Sequence, residues 1–472
     1  MKKTKRVIIN PVTRISGFME IDAVIDGNIV SDAKTEGLLF RGFEKMLEGR
    51  NPFDAVYFTQ RICGICSTAH SMASTLALED AMGITPSEQG RYLRDIIHGC
   101  EFLQNHIRHI YQYTAPDFIK LPKGNTLFET DHNDFRLPKH KNDLIAQHYF
   151  DSLEYSRNAH EMLAILGGKA PHNHGVFIGG ITSQATPEKI AQLRSLLQKI
   201  RQFICEKMIP DAYTISEYYK EYFKIGRGYG NLLSFGCFNQ YKRLGTLFVD
   251  ALELSNGKIK NLNPEEITEN VYSSWYTAKN DTYTPFEAIP EPDIKKGDAY
   301  SWVKAPRYKG LPYEVGPLAR MWLCGDYRNG ISTMDRTLAR ALEAKKIADI
   351  MLILLNNLIP SVCVQEQYDI PQSACGSGLV DTTRGALGHW IKIENSVISL
   401  YQIITPSAWN LSTRSQDKQP GPGEKAMINT YIKNMDAPVE LGRIIRSFDP
   451  CISCATHVYT NGKLLKTMQV VP

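Results

Sequence analysis

The sequence predicts a mainly α-helical protein with small β elements, an α+β chain around a core of long helices. Three observations point there. Apolar residues recur at three- and four-residue spacing over long stretches of the middle of the chain. Strand-like alternation is confined to the N-terminal residues and the C-terminal third. The 472 residues, with 43% hydrophobic content, suffice for a large buried core.

Taken in order, Arg6–Ile9 and Met19–Ile25 read as strands. Met19, Ile21, Ala23 and Ile25 alternate with polar residues, and Asp26-Gly27 marks a turn into a third strand, Ile29–Ala33. Residues 1–35 thus make a small N-terminal β element. Ser67 to Met82 is a helix that stops at Gly83. Thr85-Pro86-Ser87-Glu88 supplies a cap, a first-turn proline and an acid for the next helix. Its stripe of Leu93, Ile96, Cys100, Leu103, Ile107 and Ile110 carries it to about Tyr113.

A further helix runs from about Leu153 to Leu166 and ends at Gly167-Gly168. Another opens at Thr186-Pro187-Glu188, with Ile190, Leu193, Leu197, Ile200 and Ile204 as its apolar face, and a third spans about Thr333 to Leu355. Between them, residues 256–309 are rich in Pro, Asn, Asp and Tyr and predict an irregular or small β insertion. Ala386–Ile393 and Val397–Ile404 flank Glu394-Asn395-Ser396 as a hairpin, and Gln416–Glu424 is a polar, Pro/Gly-rich loop. With no repeat and no low-complexity tract, residues 1–472 read as a single domain.

The formal charge of +4 is small for this length, and no basic stripe is studded with aromatics, which gives no case for nucleic acid. No apolar run approaches the ~20 residues of a membrane span; the longest, Ile350–Leu355, is halted by Asn356-Asn357 and Pro360. The start, Met1-Lys2-Lys3-Thr4-Lys5-Arg6, is basic but lacks the apolar stretch of a secretory signal, so the chain is expected to fold in the cytoplasm. Of ten cysteines, Cys100, Cys205, Cys237, Cys324, Cys363 and Cys375 are scattered singly. They read as small core residues of a protein folded in a reducing compartment.

The other four cysteines lie in two short stretches near opposite ends: Arg61-Ile62-Cys63-Gly64-Ile65-Cys66-Ser67-Thr68-Ala69-His70 and Asp449-Pro450-Cys451-Ile452-Ser453-Cys454-Ala455-Thr456-His457. Each places two thiols three residues apart with a histidine downstream, a donor set for zinc, nickel or an iron–sulfur cluster. A structural zinc site is the plainest reading of one such pair. Against it, zinc ribbons draw both pairs from nearby in the chain, whereas nearly the whole protein separates these. Gly64 and the Asp-Pro ahead of Cys451 also predict an unusual backbone approach to the metal.

The two stretches resemble the signature motifs of nickel–iron hydrogenase large subunits, R-x-C-G-x-C-x-x-x-H and D-P-C-x-x-C-x-x-H, and similar blocks run from Asn10 to His457. The resemblance implies a long-helix core and a nickel–iron centre. Cys63 and Cys451 would be terminal nickel ligands, and Cys66 and Cys454 would bridge to an iron carrying carbonyl and cyanide ligands. Arg384, within Asp381-Thr382-Thr383-Arg384-Gly385, matches the family arginine beside that iron, and Ser407, in Thr405-Pro406-Ser407-Ala408-Trp409-Asn410, a cyanide-bonding serine; Thr383 and Thr405 border the same pocket. Thr383 stands where the family usually has proline and adds a hydroxyl.

Glu44, His457 and the backbone carbonyl of Ile403 match the protein ligands of a magnesium-like ion, for which hard oxygen donors are suited. Asp117 and Asp449 match acids over or beside the metal pair, a charged canopy with Arg384. His70 is expected to be a hydrogen-bond partner of a thiolate. His106 and His109 are read either as core residues or as part of the site. The block Gly167-Gly168-Lys169-Ala170-Pro171-His172 resembles another family motif and is read as structural.

The implied activity is heterolytic cleavage or formation of dihydrogen, with a hydride going to the metals and a proton to a terminal thiolate. No further cysteine cluster offers an electron relay, so iron–sulfur clusters are expected only in a partner small subunit, in a heterodimer or a dimer of heterodimers. That partner's export signal, or its absence, would decide between a cytoplasmic and a periplasmic or membrane-associated site. The resemblance also implies metal-insertion factors and a maturation endopeptidase that removes the tail, residues 458–472. One departure concerns the proton path: where the family reads T-R-I-E-G-H, this chain has Thr13-Arg14-Ile15-Ser16-Gly17-Phe18, with Ser16 in the place of a proton-carrying glutamate. The competing readings are a hydrogen-sensing homologue of low turnover, a cysteine-less relative like the quinone-site subunit of respiratory complex I, which the four cysteines oppose, and a zinc scaffold.

Overall fold

The structure is a computed structural model that describes residues 4–122, 132–287 and 290–452. Cys454, His457 and the tail 458–472 lie outside the described residues. Six helices carry the architecture: α1 (Ser67–Met82), α2 (Glu88–Arg108), α3 (Lys139–Gly167), α4 (Pro187–Phe203), α5 (Thr333–Asn356) and α6 (Val439–Ser447). α2 packs against both α3 and α5, and α4 closes the group against the same two. Among the described residues no helix is long and apolar enough to cross a membrane.

α1 ends at Gly83 in the left-handed conformation (φ 66°), α4 is capped by Thr186 with Pro187 in its first turn, and α5 starts on a reciprocal Ser332–Asp335 capping box. α2 begins two residues later than expected: Ser87 accepts the hydrogen bond from Gly90 N at 3.1 Å, so Thr85 and Pro86 precede the helix. α2 then runs on as a π-helical turn, His109–Thr114, and a 3-10 turn, Ala115–Asp117. α3 starts at Lys139, well before Leu153. Its early buried positions are Ile145, Ala146, His148 and Ser152, too few large aliphatics to show a stripe.

At the N-terminus, β1 (Thr4–Ile9), β2 (Met19–Asp26) and β3 (Ile29–Gly37) form an antiparallel meander. Its inward residues Met19, Ile21, Ala23 and Ile25 are fully buried and share a core with Leu441, Ile444 and Ile445 of α6 and with Phe448. The two ends of the chain therefore pack together. Residues 256–309 are built from short strands, including the sheet of Thr282–Tyr283, Ile267–Asn270 and Ala305–Tyr308.

A further three-stranded sheet is β4 (Ser373–Thr382), β5 (Gly385–Glu394) and β6 (Val397–Ile404). Asn395 and Ser396 turn the β5–β6 hairpin at φ 55° and 60°, as a two-residue turn with both central residues left-handed requires. The expected loop at Gln416–Glu424 gives way to a short helix, Pro422–Met427.

β4 was not legible as a strand, because Ser-Ala-Cys-Gly-Ser-Gly lacks the β-branched residues that mark one. The packing supplies the reason. A Cβ on Gly378 would lie 1.9 Å from Ala73 O, and one on Gly376 2.3 Å from Ala81 N. α1 rests directly on the strand's backbone, and its Ser, Thr and Ala residues, buried almost all round, permit that approach.

Gly378→Ala is therefore expected to lower unfolding free energy by ~3 kcal/mol or more, the upper end of overpacking costs. Gly297→Ala, with nothing within 4 Å of its added Cβ, should stay within ~0.5 kcal/mol of the parent. Denaturant unfolding of both variants checks this, and equal stability would show that α1 and β4 are not in backbone contact.

Candidate metal centre

The first cysteine motif follows a short 3-10 helix, Thr59–Ile62. Cys63 is extended (φ −148°, ψ 135°) and Cys66 is the residue that caps the start of α1. Cys451 follows Asp449, a non-glycine residue at φ 57°, and Pro450. The unusual backbone expected here thus lies at Asp449. Gly64, expected to share it, is outside the left-handed region and has open space around its Cβ position, so no close approach requires glycine there.

What brings the two motifs together is the pairing of chain ends. Ser16 N donates to Pro450 O at 3.1 Å and Ile452 N to Ser16 O at 2.7 Å, a parallel bridge between Ser16 and Cys451. Cys451 Sγ then lies 3.3 Å from Cys63 Sγ and 3.9 Å from Cys66 Sγ, and all three sulfurs fall within 4.8 Å of one another, fully buried and without a disulfide. Among the described residues these cysteines are the group of histidine, cysteine or acidic side chains suited to a metal.

A small cavity beside them is lined by Cys66, His70, Thr382, Arg384, Ser407 and Cys451. Arg384 Nε donates to Asp449 O at 2.9 Å and its Nη2 lies 3.0 Å from Asp449 Oδ1, while Nη1 is buried with no hydrogen-bond partner. Burial opposes the guanidinium's charge, but Asp449 and the thiols Cys451, Cys66 and Cys63 hold it protonated. Arg384 in turn offsets the burial of Asp449, with His109, Arg340 and Asn105, and brings that carboxyl down to about 2. Gly385, at φ 129°, lets the loop fold against Val315, where a Cβ would sit 2.5 Å from that side chain. Buried soft donors and an unpaired buried N–H donor fit a thiolate-bound metal whose own ligands accept hydrogen bonds.

Ser407 Oγ accepts from Cys451 N at 2.9 Å, and Thr405 caps the short helix Pro406–Asn410 through Ala408 N at 3.3 Å. Thr383 is buried, its hydroxyl unpaired. Asp117 is not bonded to Arg384. It is clamped by Arg14 at 2.6 Å and by Arg446 through two bonds of 2.7 Å, which hold its carboxyl well below the ordinary value despite burial. The expected canopy is therefore two clusters, Arg384–Asp449 and Arg14–Asp117–Arg446.

His70 lines the cavity with Cys66 and Cys451, and its Nδ1 lies 3.1 Å from His389 Nε2. His106 bonds Glu343 and His109 the carbonyl of Arg446. Glu44 Oε1 lies 3.4 Å from Lys304 Nζ, which bonds Glu269 at 2.7 Å, and the helix Phe43–Leu47 that carries Glu44 packs against β6, the strand of Ile403. Of the six single cysteines, Cys100 and Cys237 are buried and Cys205 and Cys324 half-buried. Cys363 and Cys375 are exposed, a correction to their reading as core residues.

Several residues escaped the sequence reading. Glu101 accepts from Thr68 N (2.7 Å) and Ala69 N (3.1 Å) at the start of α1, and burial pushes its carboxyl up to about 8. Asn105, one turn on, donates to Asp449 Oδ2 at 2.7 Å. Arg320, fully buried, pairs with Glu343 at 2.6 and 2.8 Å and donates to the carbonyls of Thr382 (2.7 Å) and Thr383 (3.2 Å), which fixes the loop that presents Arg384. The available signal was a charged or amide residue on an otherwise apolar helical stripe.

The sequence profile of the family described as nickel-dependent hydrogenase matches residues 41–126, 122–330 and 325–457. The chain belongs to the nickel-dependent hydrogenase family. It is 34% identical to the periplasmic [NiFeSe] hydrogenase large subunit of Desulfomicrobium baculatum, over 96% of this chain and 95% of that protein. It is 30% identical to the hydrogenase-1 large chain of Escherichia coli (strain K12), over 99% and 97%. The Ni-Fe-Se hydrogenase from D. vulgaris Hildenborough in the reduced state superposes with a TM-score of 0.93 at 36% identity, over 96% of this chain and 100% of that one. Selenium in those names is said of those proteins; this hydrogenase chain has cysteine at all four motif positions.

Burial pushes Glu343 up, but Arg320 and His106 outweigh it and bring the carboxyl to about 2. A depressed carboxylate stabilises the fold above its unfolded value near 4.3 and loses that contribution as pH falls toward 2. Arg320→Met is expected to cost ~3–5 kcal/mol at neutral pH by stranding the buried charge, and less as pH falls and Glu343 takes up a proton. Denaturant unfolding across pH measures this; a pH-independent loss would refute the charge-stranding account.

Proposed function

We propose that this chain is the catalytic large subunit of a nickel–iron hydrogenase that cleaves dihydrogen heterolytically and passes the electrons to a separate iron–sulfur subunit. The observation that carries this is the buried three-sulfur cluster assembled from opposite ends of the chain. Cys63, Cys66 and Cys451, with Cys454 as the fourth ligand, would hold the centre. When bound, the nickel–iron pair supplies the open position where dihydrogen is polarised and split.

The protein's own part is to keep the sulfurs deprotonated and the site dry. Arg384, charged and buried, favours the thiolate form, and its unpaired Nη1 would serve a hydrogen-bond acceptor on iron such as cyanide. Ser407, which fixes the backbone of Cys451, and Thr383 would offer hydroxyls to the same ligands. Thr405 acts by capping the helix that carries Ser407. Glu44, the Ile403 carbonyl and His457 would hold a magnesium-like ion, Lys304 meanwhile sharing the Glu44 charge. Removal of residues 458–472 by a maturation endopeptidase, after metal-insertion factors have acted, would leave His457 as the chain end. The single cysteines offer no relay, so electrons would leave through the partner's clusters, and that partner decides the final compartment.

Cys451→Ala is expected to lose nickel and dihydrogen oxidation together, by more than the ~100-fold that loss of an outer partner costs. Metal analysis and hydrogen uptake on the purified enzyme test it; full nickel with normal turnover would sink the assignment, and zinc alone in the wild type would turn it into a structural site.

Ser16 is joined through its backbone to both neighbours of Cys451. Its hydroxyl can pass a proton by donating and accepting at once but cannot hold one, as a glutamate can. Asp117, tied up by two arginines, is poorly placed to hold it instead. Ser16→Ala is expected to slow hydrogen–deuterium exchange roughly tenfold or more, and Ser16→Glu to raise it, within the range for positioned proton carriers. Unchanged exchange in both variants would show that protons leave by another path.

A further inference from the structure

Both cysteine motifs are carried by helix ends. α1 starts at Cys66, and α6 stops at Ser447 and leads through Asp449 into Cys451. The hydroxyls of Ser87, Thr186 and Ser332 cap α2, α4 and α5, but the residue at the start of α1 is a cysteine whose side chain forms no cap. The first-turn N–H groups of Thr68 and Ala69 go instead to Glu101 of α2, one to each carboxyl oxygen, at 2.7 and 3.1 Å. At the end of α6 the free carbonyls are met in the same way. His109, in the π-helical turn that continues α2, bonds Arg446 O through Nε2 at 2.7 Å, and Arg340 of α5 donates from Nη1 to Ser447 O at 3.1 Å. Glu101, His109 and Arg340 are 5%, 0% and 1% exposed. α1 packs on α2, α6 on α5, and α2 on α5.

Each contact has the sign that its helix end demands. The N–H end of a helix carries partial positive charge and meets a carboxyl; the carbonyl end carries partial negative charge and meets a guanidinium. Stability alone does not explain Arg340. Among the described residues it forms no ion pair, and its Nε is buried with no hydrogen-bond partner. Burial brings it down to about 10, against the pull of Asp449 and Glu343. A buried cation bonded in this way costs free energy that an apolar side chain of similar volume would not. Its return is a hold on the residue from which Asp449 and Cys451 extend. His109 is fixed as firmly. A carbonyl only accepts, so the ring carries its proton on Nε2, and Nδ1 accepts from Thr114 Oγ1 at 3.2 Å.

We propose that the α2–α5 pair sets the spacing of the sulfur atoms, Glu101 holding the start of α1 and His109 with Arg340 the end of α6, so that these three are positioning residues for the metal centre. The inference rests on the metal-site reading of the cysteines. None of the three lines the cavity beside the sulfurs; they act through the backbone of Cys66 and of Asp449–Cys451. Cys451 is also tied to Ser407, and its neighbours to Ser16. Loss of Arg340 therefore shifts the second motif without releasing it, which changes ligand geometry and leaves the metal bound.

The test is infrared spectroscopy of metal-bound diatomic ligands, with metal analysis, on the assembled enzyme. Arg340→Met, which keeps the bulk and removes the donor, is expected to shift the bands at unchanged nickel content. Arg340→Lys, which can still donate to Ser447 O, should shift them less. Arg94→Met, which breaks the buried pair with Glu79 that joins α2 to α1 elsewhere, should leave them in place. Bands unmoved in Arg340→Met, or moved equally in Arg94→Met, overturn the proposal. If Arg340→Met does not assemble, Glu101→Gln, which sets an amide donor against a first-turn N–H, is read in the same way. Neutron diffraction from deuterium-exchanged wild-type crystals reads the α6 contact directly: deuterium is expected on His109 Nε2 and absent from Nδ1, and the reverse overturns the proposal. That map is read whichever metal the cysteines hold, and metal analysis of the wild type judges the metal-site reading, so the two fail separately.

Discussion

Three sulfur atoms within 4.8 Å of one another in a fully buried pocket form an arrangement that water-excluded protein resists. As thiolates they repel strongly at low dielectric, and as thiols they cannot bind a metal. The surroundings answer that constraint. Arg384 brings a buried positive charge to the sulfurs, and Asp449 holds the arginine by its side chain and its carbonyl. Arg320 anchors the backbone on which Arg384 stands, Glu343 holds Arg320, and His106 bonds Glu343. Each layer of buried charge is thus satisfied by the next, outward from the cysteines.

Such networks are poor evidence of stability, since well-packed apolar residues often do as well. Their value here is geometric. A guanidinium held through Nε by a backbone carbonyl and paired with a carboxylate keeps its place, and its buried Nη1 beside the pocket is left with no hydrogen-bond partner. The Arg14–Asp117–Arg446 cluster does comparable work one step away. It ties the segment before Ser16 to α6, whose C-terminal end leads into Cys451.

The joining of the chain ends is equally physical. The N-terminal meander has one apolar face and α6 one apolar stripe, and neither can be buried alone. Packed together, they leave Ser16 and Cys451 as neighbours whose backbone groups complete each other's hydrogen bonds. The metal site lies at that seam, where the first motif, carried by the start of α1, meets the second.

The sequence by itself determined the helix-dominated class, the extents of α1, α4 and α5, the β5–β6 hairpin and the two cysteine motifs. Caps, periodicity and thiol spacing are local properties, legible wherever neighbours in sequence are neighbours in space. It missed β4, whose glycines serve a helix three hundred residues away, and the early turns of α3, whose buried face lacks large aliphatics. It named Arg384, Asp449 and Asp117 but not their partition into two clusters, and it did not see that His389 stands against His70. Nor did it see Glu101, Asn105, Arg320 or Glu343, charged and amide residues that look like surface until their partners arrive from elsewhere in the chain. Which ion pairs with which depends on distances of a few ångström between remote segments, and only the tertiary structure decides it.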